Sequence, residues 1–446
     1  MVGMRNASSL SPESHCGRFT DLKDLNGLRG QLCIKILGRL GAEQRQSDAA
    51  NLRGKRGLLK LHVKFDDDNS EDDEAIMEGL QPHPDLKELV IENYGGLRLP
   101  SSMALPNLVD IRLYSCSRCQ HLPSFAQLAS LRRLVLWGCP GVEYMESSIG
   151  YKSAASPSQS SASVMPSFFP SLENLSLKYM PNMKGWWKGE ERGEGQGSEI
   201  VDQPWQLDAT NSQPLLPFFP KLSHLEIGSC PNLTCSPAPL SPYVEELQLR
   251  EVDEKMVSML KGQMATTVAD HENTSFSSLS PSFSTLPVSN LKTLTIIDLT
   301  TLESFPRDCF KGLLSLQSFG IFRLARLRSL SGLEHLTGLR GLTIWFCKEL
   351  DLFDDEMMPW EALKSLRDLT LRGIPKMSSV PAGFQHLTAL ESLCIEECGE
   401  LGALPEWVTS LPSLQRIEMD KRYIRRHGSP LLRKGSTTNA VAREKP

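Results

Sequence analysis

One hexamer, L-x-x-L-x-L with Ile, Val, Phe or Met allowed at the apolar positions, returns along the whole chain and constrains its fold more than any other feature. A weaker copy, RGQLCI, starts at Arg29, and LLKLHV at Leu58, LKELVI at Leu86, LVDIRL at Leu108 and LRRLVL at Leu131 follow. The series continues with LENLSL at Leu172, LSHLEI at Leu222, VEELQL at Val244 and LKTLTI at Leu291. It ends with LQSFGI at Leu316, LRGLTI at Leu339, LRDLTL at Leu366, LESLCI at Leu390 and LQRIEM at Leu414. From Leu86 onward most steps are 22–27 residues, and three are longer at 41, 50 and 47. A long step is one unit plus an insertion, or two units with one degraded copy.

Each hexamer reads as a short strand whose leucines point inward. A single unit cannot cover that face, so neighbours must stack into a parallel sheet. Leu supplies 68 of the 446 residues, enough for three or four buried side chains per unit. Each contributes ~1.5–3 kcal/mol on burial, which offsets backbone ordering only when the next unit is in place. Pro follows many strands, in GLRLP, QHLP, SFP, SVP and ALP, and ends them. The predicted fold is therefore α/β: a leucine-rich-repeat solenoid of roughly 14 repeats. It is expected as a curved horseshoe with the sheet on its concave face and irregular or short-helical segments on its convex face.

The array is expected over 22–420, after a polar, disordered N-terminus at 1–21 and before a basic, disordered tail at 421–446. Insertions interrupt it at about 146–166, rich in Ser, at 188–214, charged and Gly-rich, and at 261–289, rich in Ser and Thr. The acidic run Asp66–Glu74 reads as a solvated loop.

Composition excludes several classes of function. A net charge of -5 argues against a nucleic-acid partner. No stretch approaches 18 uninterrupted apolar residues, so no membrane span is expected. Eleven cysteines, an odd number without a leader-like apolar segment before them, suggest a reducing compartment, and a cytoplasmic location is expected. There is no G-x-x-x-x-G-K-[ST], no H-E-x-x-H and no G-x-S-x-G. Neither an enzyme nor a resident cofactor is expected. Cys116-Ser-Arg-Cys119 resembles half a zinc site, but no second pair follows at suitable spacing, so no metal is expected.

Cys116, Cys139, Cys230, Cys347 and Cys398 each stand three residues after the last hexamer position. That is the N/C position of the repeat, where a small buried thiol meets turn backbone. The x positions form the candidate protein-binding face. Arg112, Arg132, Arg133, Arg340, Arg367, Asp368 and Arg416 occupy them, and Tyr114, Trp137, Phe322 and Trp345 follow hexamers directly. Exposed aromatics beside Arg have the composition of a binding hot spot, although either Trp could instead pack against its neighbouring repeat.

Several phrases carry a more specific resemblance: LNGLRGQLCIKILGRL, EAIMEGLQPHPDLKELVIENYGGLRLPSSM, SCSRCQHLPSFAQLASLRRLVL, FFPSLENLSLKYMPNMKGWW and TALESLCIEECGELGALPEWVTSLPSLQRIEM. Over roughly residues 22–420 the chain resembles the leucine-rich region of plant coiled-coil-class nucleotide-binding (NLR) disease-resistance proteins. The resemblance implies a role in innate immunity, sensing a pathogen effector or a modified host protein, and contact with the receptor's own nucleotide-binding domain. That domain and the coiled coil have no counterpart in these 446 residues, so ADP or ATP is expected only with a further upstream domain. A stand-alone repeat adaptor or decoy without switch activity is the alternative.

Overall fold

A computed structural model describes residues 2–6, 15–37, 47–66, 72–146, 169–187, 219–233, 243–253, 257, 290–306, 308–353, 358–399 and 401–430. The chain forms two compact units, Met1–Ser241 and Pro242–Pro446. They divide within the segment Pro237-Ala238-Pro239-Leu240-Ser241-Pro242. The insertions expected near 146–166, 188–214 and 261–289 lie almost wholly outside the described residues.

Unit 1 contains β1 (Val2–Asn6), β2 (His15–Gly17), β3 (Gly30–Ile36), β4 (Leu58–Lys64), α1 (Asp72–Leu80), β5 (Glu88–Glu92) and β6 (Asp110–Tyr114). It continues with β7 (Arg133–Trp137), β8 (Tyr144–Glu146), β9 (Asn174–Lys178), β10 (Gly185–Trp187) and β11 (His224–Gly228). Unit 2 contains β12 (Glu246–Arg250), β13 (Thr293–Ile297), β14 (Ser318–Phe322), β15 (Gly341–Trp345), β16 (Asp368–Arg372), β17 (Ser392–Glu396), β18 (Arg416–Met419) and α2 (Lys421–His427).

Every hexamer supplies one strand of a parallel ladder. In unit 1, β3, β4, β5, β6, β7, β9 and β11 pair in that order. In unit 2, β12 to β18 pair consecutively. The register stacks like on like. Leu89, Ile111, Leu134, Leu175 and Leu225 form one buried row, and Ile91, Leu113, Leu136, Leu177 and Ile227 form the next. Return segments are short 3-10 turns such as Phe125–Gln127, Leu333–His335 and Ala382–His386, as the proline-punctuated spacers predict. Each unit is a parallel-sheet leucine-rich-repeat solenoid.

Three expectations from sequence are corrected. The stretch 1–21 is not uniformly disordered: β1 pairs antiparallel with β3, and β2 with β1. The two strands cover the ladder's open edge, whose backbone groups would otherwise lack partners. The tail beginning at 421 is likewise ordered at first. Asp420 caps α2, accepting from the Tyr423 backbone N–H at 2.7 Å, and Tyr423 buries its ring while its hydroxyl accepts from Leu404 N–H at 3.0 Å.

The acidic run at 66–74 is only partly a solvated loop. Asp72, Asp73 and Glu74 form the first turn of α1, where the helix dipole favours negative charge. Asp73 is buried and accepts from Gly95 N–H at 2.8 Å, while Glu74 reaches Leu97 N–H at 3.2 Å. Burial raises the Asp73 carboxyl to about 6, against the opposing pull of the Gly95 hydrogen bond. The folded chain therefore holds this proton more tightly than the unfolded chain, whose aspartate titrates near ~3.9. Stability should rise as pH falls from above 6 towards 4, by up to about 2–3 kcal/mol. Asp73→Asn keeps an acceptor for Gly95 and should stabilise the chain by a similar amount at pH 7.5, with the gain vanishing near pH 4. Urea midpoints at the two pH values check this; a less stable variant at pH 7.5 contradicts it.

Candidate protein-binding face

Alternation along most of the five-residue ladder strands buries two residues and turns three outward; in β5, β14 and β17 the middle outward residue, Val90, Gly320 or Cys394, is buried as well. In β6 the outward residues are Asp110, Arg112 and Tyr114, and in β7 they are Arg133, Val135 and Trp137. The residue after each ladder strand from β5 to β17 takes a left-handed conformation. Its N–H still donates to the next strand, as in Ser115 to Trp137 O (2.7 Å), Tyr179 to Gly228 O (2.9 Å) and Phe346 to Arg372 O (2.7 Å). The ladder is thus extended by one bond, and a further row of side chains runs along the edge of the face.

Bulky residues are rare in this backbone region, which costs on the order of 1–2 kcal/mol outside glycine. Tyr179 (φ 53°) and Phe346 (φ 57°) both adopt it. Both are exposed. The same conformation recurs at this repeat position in Asn93, Ser115, Ser229, Glu251, Asp298, Arg323 and Glu397, and Tyr179 and Phe346 are the aromatic residues that hold it there.

In unit 1, Trp137 is 40% exposed, and its ring lies 5.4 Å from that of Tyr179. Lys178 Nζ stands 4.9 Å from the Trp137 ring centre and 2.6 Å from Glu226 Oε1. Tyr114 is the register partner of Trp137. Arg112 grips Asp110 with two bonds, at 3.0 and 2.6 Å, and Arg133 approaches the same carboxylate at 3.8 Å. Arg132 precedes β7 and faces Glu173 at 3.5 Å.

In unit 2, Phe322 and Trp345 are register partners and meet edge to face at 5.2 Å. The Arg372 guanidinium lies 5.5 Å from the Trp345 ring and 5.6 Å from Phe346. Glu397 holds it at 3.0 Å. Arg372 also lines a cleft of about 880 Å³ bounded by Glu396, Asp420, Lys421 and Tyr423. Asp368 and Arg416 share a register row with Ser392 between them, and Arg416 is engaged by Glu418. Arg340 and Arg367 precede their strands and are exposed; Arg367 pairs with Glu391 at 3.0 Å.

The structure thus gathers Tyr114 and Trp137 in unit 1, and Phe322 and Trp345 in unit 2, leaving most of the nominated arginines tied to carboxylates. Sequence reading missed Lys178, Tyr179, Phe346 and Arg372. Tyr179 and Phe346 stand one residue beyond the register of Trp137 and Trp345, where the hexamer no longer predicts orientation, whereas Lys178 and Arg372 directly follow their hexamers and share that register. Phe346 lies across Gly373, whose added Cβ would come 2.3 Å from Phe346 Cδ1. Gly373 also has φ +65°. Gly373→Ala should therefore displace Phe346 and cost about 1 kcal/mol of stability. Tryptophan emission and a urea titration test both effects.

The cysteine ladder is buried, and its thiols donate to backbone carbonyls. Cys116 reaches Tyr114 O at 3.7 Å, Cys139 reaches Trp137 O at 4.0 Å and Cys347 reaches Trp345 O at 3.7 Å. Cys230 and Cys398 reach Gly228 O and Glu396 O, both at 3.3 Å. Burial pushes the Cys347 and Cys398 thiols up to about 11. Cys119 donates to His121 O at 3.7 Å, and among the described residues no group of three His, Cys, Asp or Glu side chains is placed to hold a metal ion.

Residues 19–139 match the family described as R13L1/DRL21 leucine-rich repeats. The chain is similar to RGA1 of Solanum bulbocastanum, named as a disease resistance protein, with 31% identity over 64% of this chain and 25% of that protein. The chain is thus similar to the leucine-rich-repeat region of plant disease-resistance proteins. The repeat region is also 28% identical to the RPP13-like disease resistance protein 1 of Arabidopsis thaliana, over 75% of this chain and 29% of that protein. It therefore spans about a quarter of the length of these relatives. In fold it is similar to Toll in the Drosophila Toll–Spatzle complex, with a TM-score of 0.50 at 16% identity, covering 91% of this chain and 45% of that one. No described helix is long and apolar enough to cross a membrane.

Proposed function

We propose that the repeat region is the protein-recognition module of a cytoplasmic disease-resistance receptor, sensing a pathogen effector or a modified host protein. One observation carries this reading. Exposed aromatics are held in a costly backbone conformation beside a cation, as Tyr179 with Trp137 and Lys178, and as Phe346 with Trp345 and Arg372. Aromatic side chains of this kind give large contact area for little lost rotamer freedom, and with Arg they dominate binding hot spots.

Replacing Trp137, Tyr179, Trp345 and Phe346 together by Ser should lower affinity for the recognised protein at least about a hundredfold, since one hot-spot aromatic alone accounts for about 2 kcal/mol. The thermal unfolding profile should stay close to that of the parent. Binding measured against candidate effectors decides the matter, and unchanged affinity rejects this face. Nucleotide exchange on ADP or ATP would belong to an upstream domain, because the 446 residues contain no phosphate-cradling motif. Mapping the 5′ end of the transcript distinguishes a receptor from an adaptor or decoy: an in-frame upstream G-x-x-x-x-G-K-[ST] supports the receptor.

A further inference from the structure

Among the cysteines whose side chains are described, all are buried but Cys33 on β3, which is partly exposed. It sits on the solvent-facing side of the ladder, with His62 of β4 as its register partner. Cys33 Sγ lies 3.7 Å from His62 Nδ1, and His62 Nε2 lies 2.9 Å from Glu92 Oε1 on β5. A carboxylate only accepts, so Nε2 carries the proton of the neutral ring and donates it to Glu92. Nδ1 then presents its lone pair to the Cys33 thiol. Lys64 Nζ holds the other Glu92 oxygen at 2.9 Å, fixing the carboxylate that fixes the ring. This is the order nucleophile, base, orienting group.

Two nearby alternatives fail on geometry. Cys33 and Glu92 lie on opposite nitrogens of the imidazole, so the three groups do not converge on a point where a metal could sit. The flanking strands spend their N–H groups on the ladder, so among the described residues their backbone offers no oxyanion site for turnover of an ester or amide. What remains is the chemistry of an activated thiol by itself.

We propose that Cys33 is a redox-modification site that exchanges with low-molecular-weight disulfides. The Cys33 proton moves to His62 Nδ1, and the thiolate attacks one sulfur of the disulfide. A Cys33–S–S–R bond forms as the reagent's S–S bond breaks. The departing thiolate takes the proton from the imidazolium and leaves as R–SH. The disulfide is the oxidant, and excess R–SH reverses the step. The adduct places a bulky group on the strand face of unit 1, two strands along the ladder from Glu88 and three from Arg112.

The charged groups around the pair are Lys35 on β3, Lys60 and Lys64 on β4, Glu88 and Glu92 on β5 and Arg112 on β6; Arg5 is the register partner of Cys33 on β1. Lys60 is committed to Glu88 at 2.6 Å, and Arg112 to Asp110.

The test uses the full chain, reduced, with Cys16 and Cys235 replaced by Ser. Oxidised glutathione and limiting iodoacetamide are the probes, and modification is mapped peptide by peptide. At pH 7, Cys33 should react at least about tenfold faster than any buried cysteine. His62→Gln should slow Cys33 about tenfold at pH 7 and less than about twofold at pH 9.5, where an unassisted thiol is already ionised. Glu92→Gln should shift the profile in the same direction by a smaller factor. Equal reactivity of Cys33 and the buried cysteines overturns the proposal, as does a pH profile that neither substitution moves. Should His62→Gln unfold, the buried cysteines will react together, and the Glu92→Gln profile alone then decides.

Discussion

Phe310→Ala is expected to cost unit 2 about 3–5 kcal/mol, enough to remove much of the stability of an ordinary domain. Phe310 is fully buried. Its ring meets Phe305 at 5.0 Å and Phe319 at 5.3 Å, both edge to face, and Phe305 and Phe319 lie 5.8 Å apart. Three rings thus share one contact. Removing the middle one leaves a cavity larger than the surrounding ladder can close, because Phe319 and Ile321 are fixed within the β14 ladder. Each edge-to-face pair adds ~0.5–1.5 kcal/mol beyond its buried area. Phe310→Leu retains most of the volume and should cost about 1–2 kcal/mol. Guanidinium titrations of the two variants measure the difference. A loss below about 1 kcal/mol for Phe310→Ala would mean that the three rings do not pack as a unit.

Phe310 also marks where the sequence stops being readable. Phe319 occupies a hexamer position, so its inward orientation follows from period 2 alone. Phe305 and Phe310 lie in the return segment, where no period relates a residue to a face. Their burial depends on the neighbouring unit, and only coordinates reveal it. The same boundary runs through the candidate face. Trp137 and Trp345 were legible because each directly follows a hexamer and continues its alternation. Tyr179 and Phe346 come one residue later, after the backbone has turned left-handed, and there the alternation fails. The Cys33–His62–Glu92 arrangement shows a third limit. Each residue is visible as an outward position in its own strand, but the hydrogen bonds join three strands whose relative register the hexamer fixes only to within a repeat. Glu92 reaches His62 diagonally, two residues past its direct partner Val90. Charge pattern misled at 66–74 for a related reason: an acidic run reads as solvated until Gly95 offers one of its carboxylates a buried partner.

Leu134→Asn and Val135→Asn, adjacent in β7, should differ in effect by at least about 3 kcal/mol. Leu134 is fully buried between its register partners Ile111 and Leu175. An amide placed there loses the transfer free energy of the side chain and finds no partner, since the backbone groups on both sides are committed to the ladder. The expected loss is about 4–6 kcal/mol. Val135 sits on the opposite side of the same strand, between Arg112 and Ser176, and is only half-buried. Asn at that position can hydrogen-bond to solvent or to Ser176 and should change stability by less than about 1 kcal/mol. The comparison separates direction from strand context, because the two sites are adjacent in one strand between the same two flanking strands and present opposite faces. A larger loss for Val135→Asn than for Leu134→Asn would mean that the register is slipped by one residue, since a slip would turn Arg133 and Trp137 inward with Val135. The pair therefore tests the placement of the binding face as directly as it tests the core, and it does so without any knowledge of the partner.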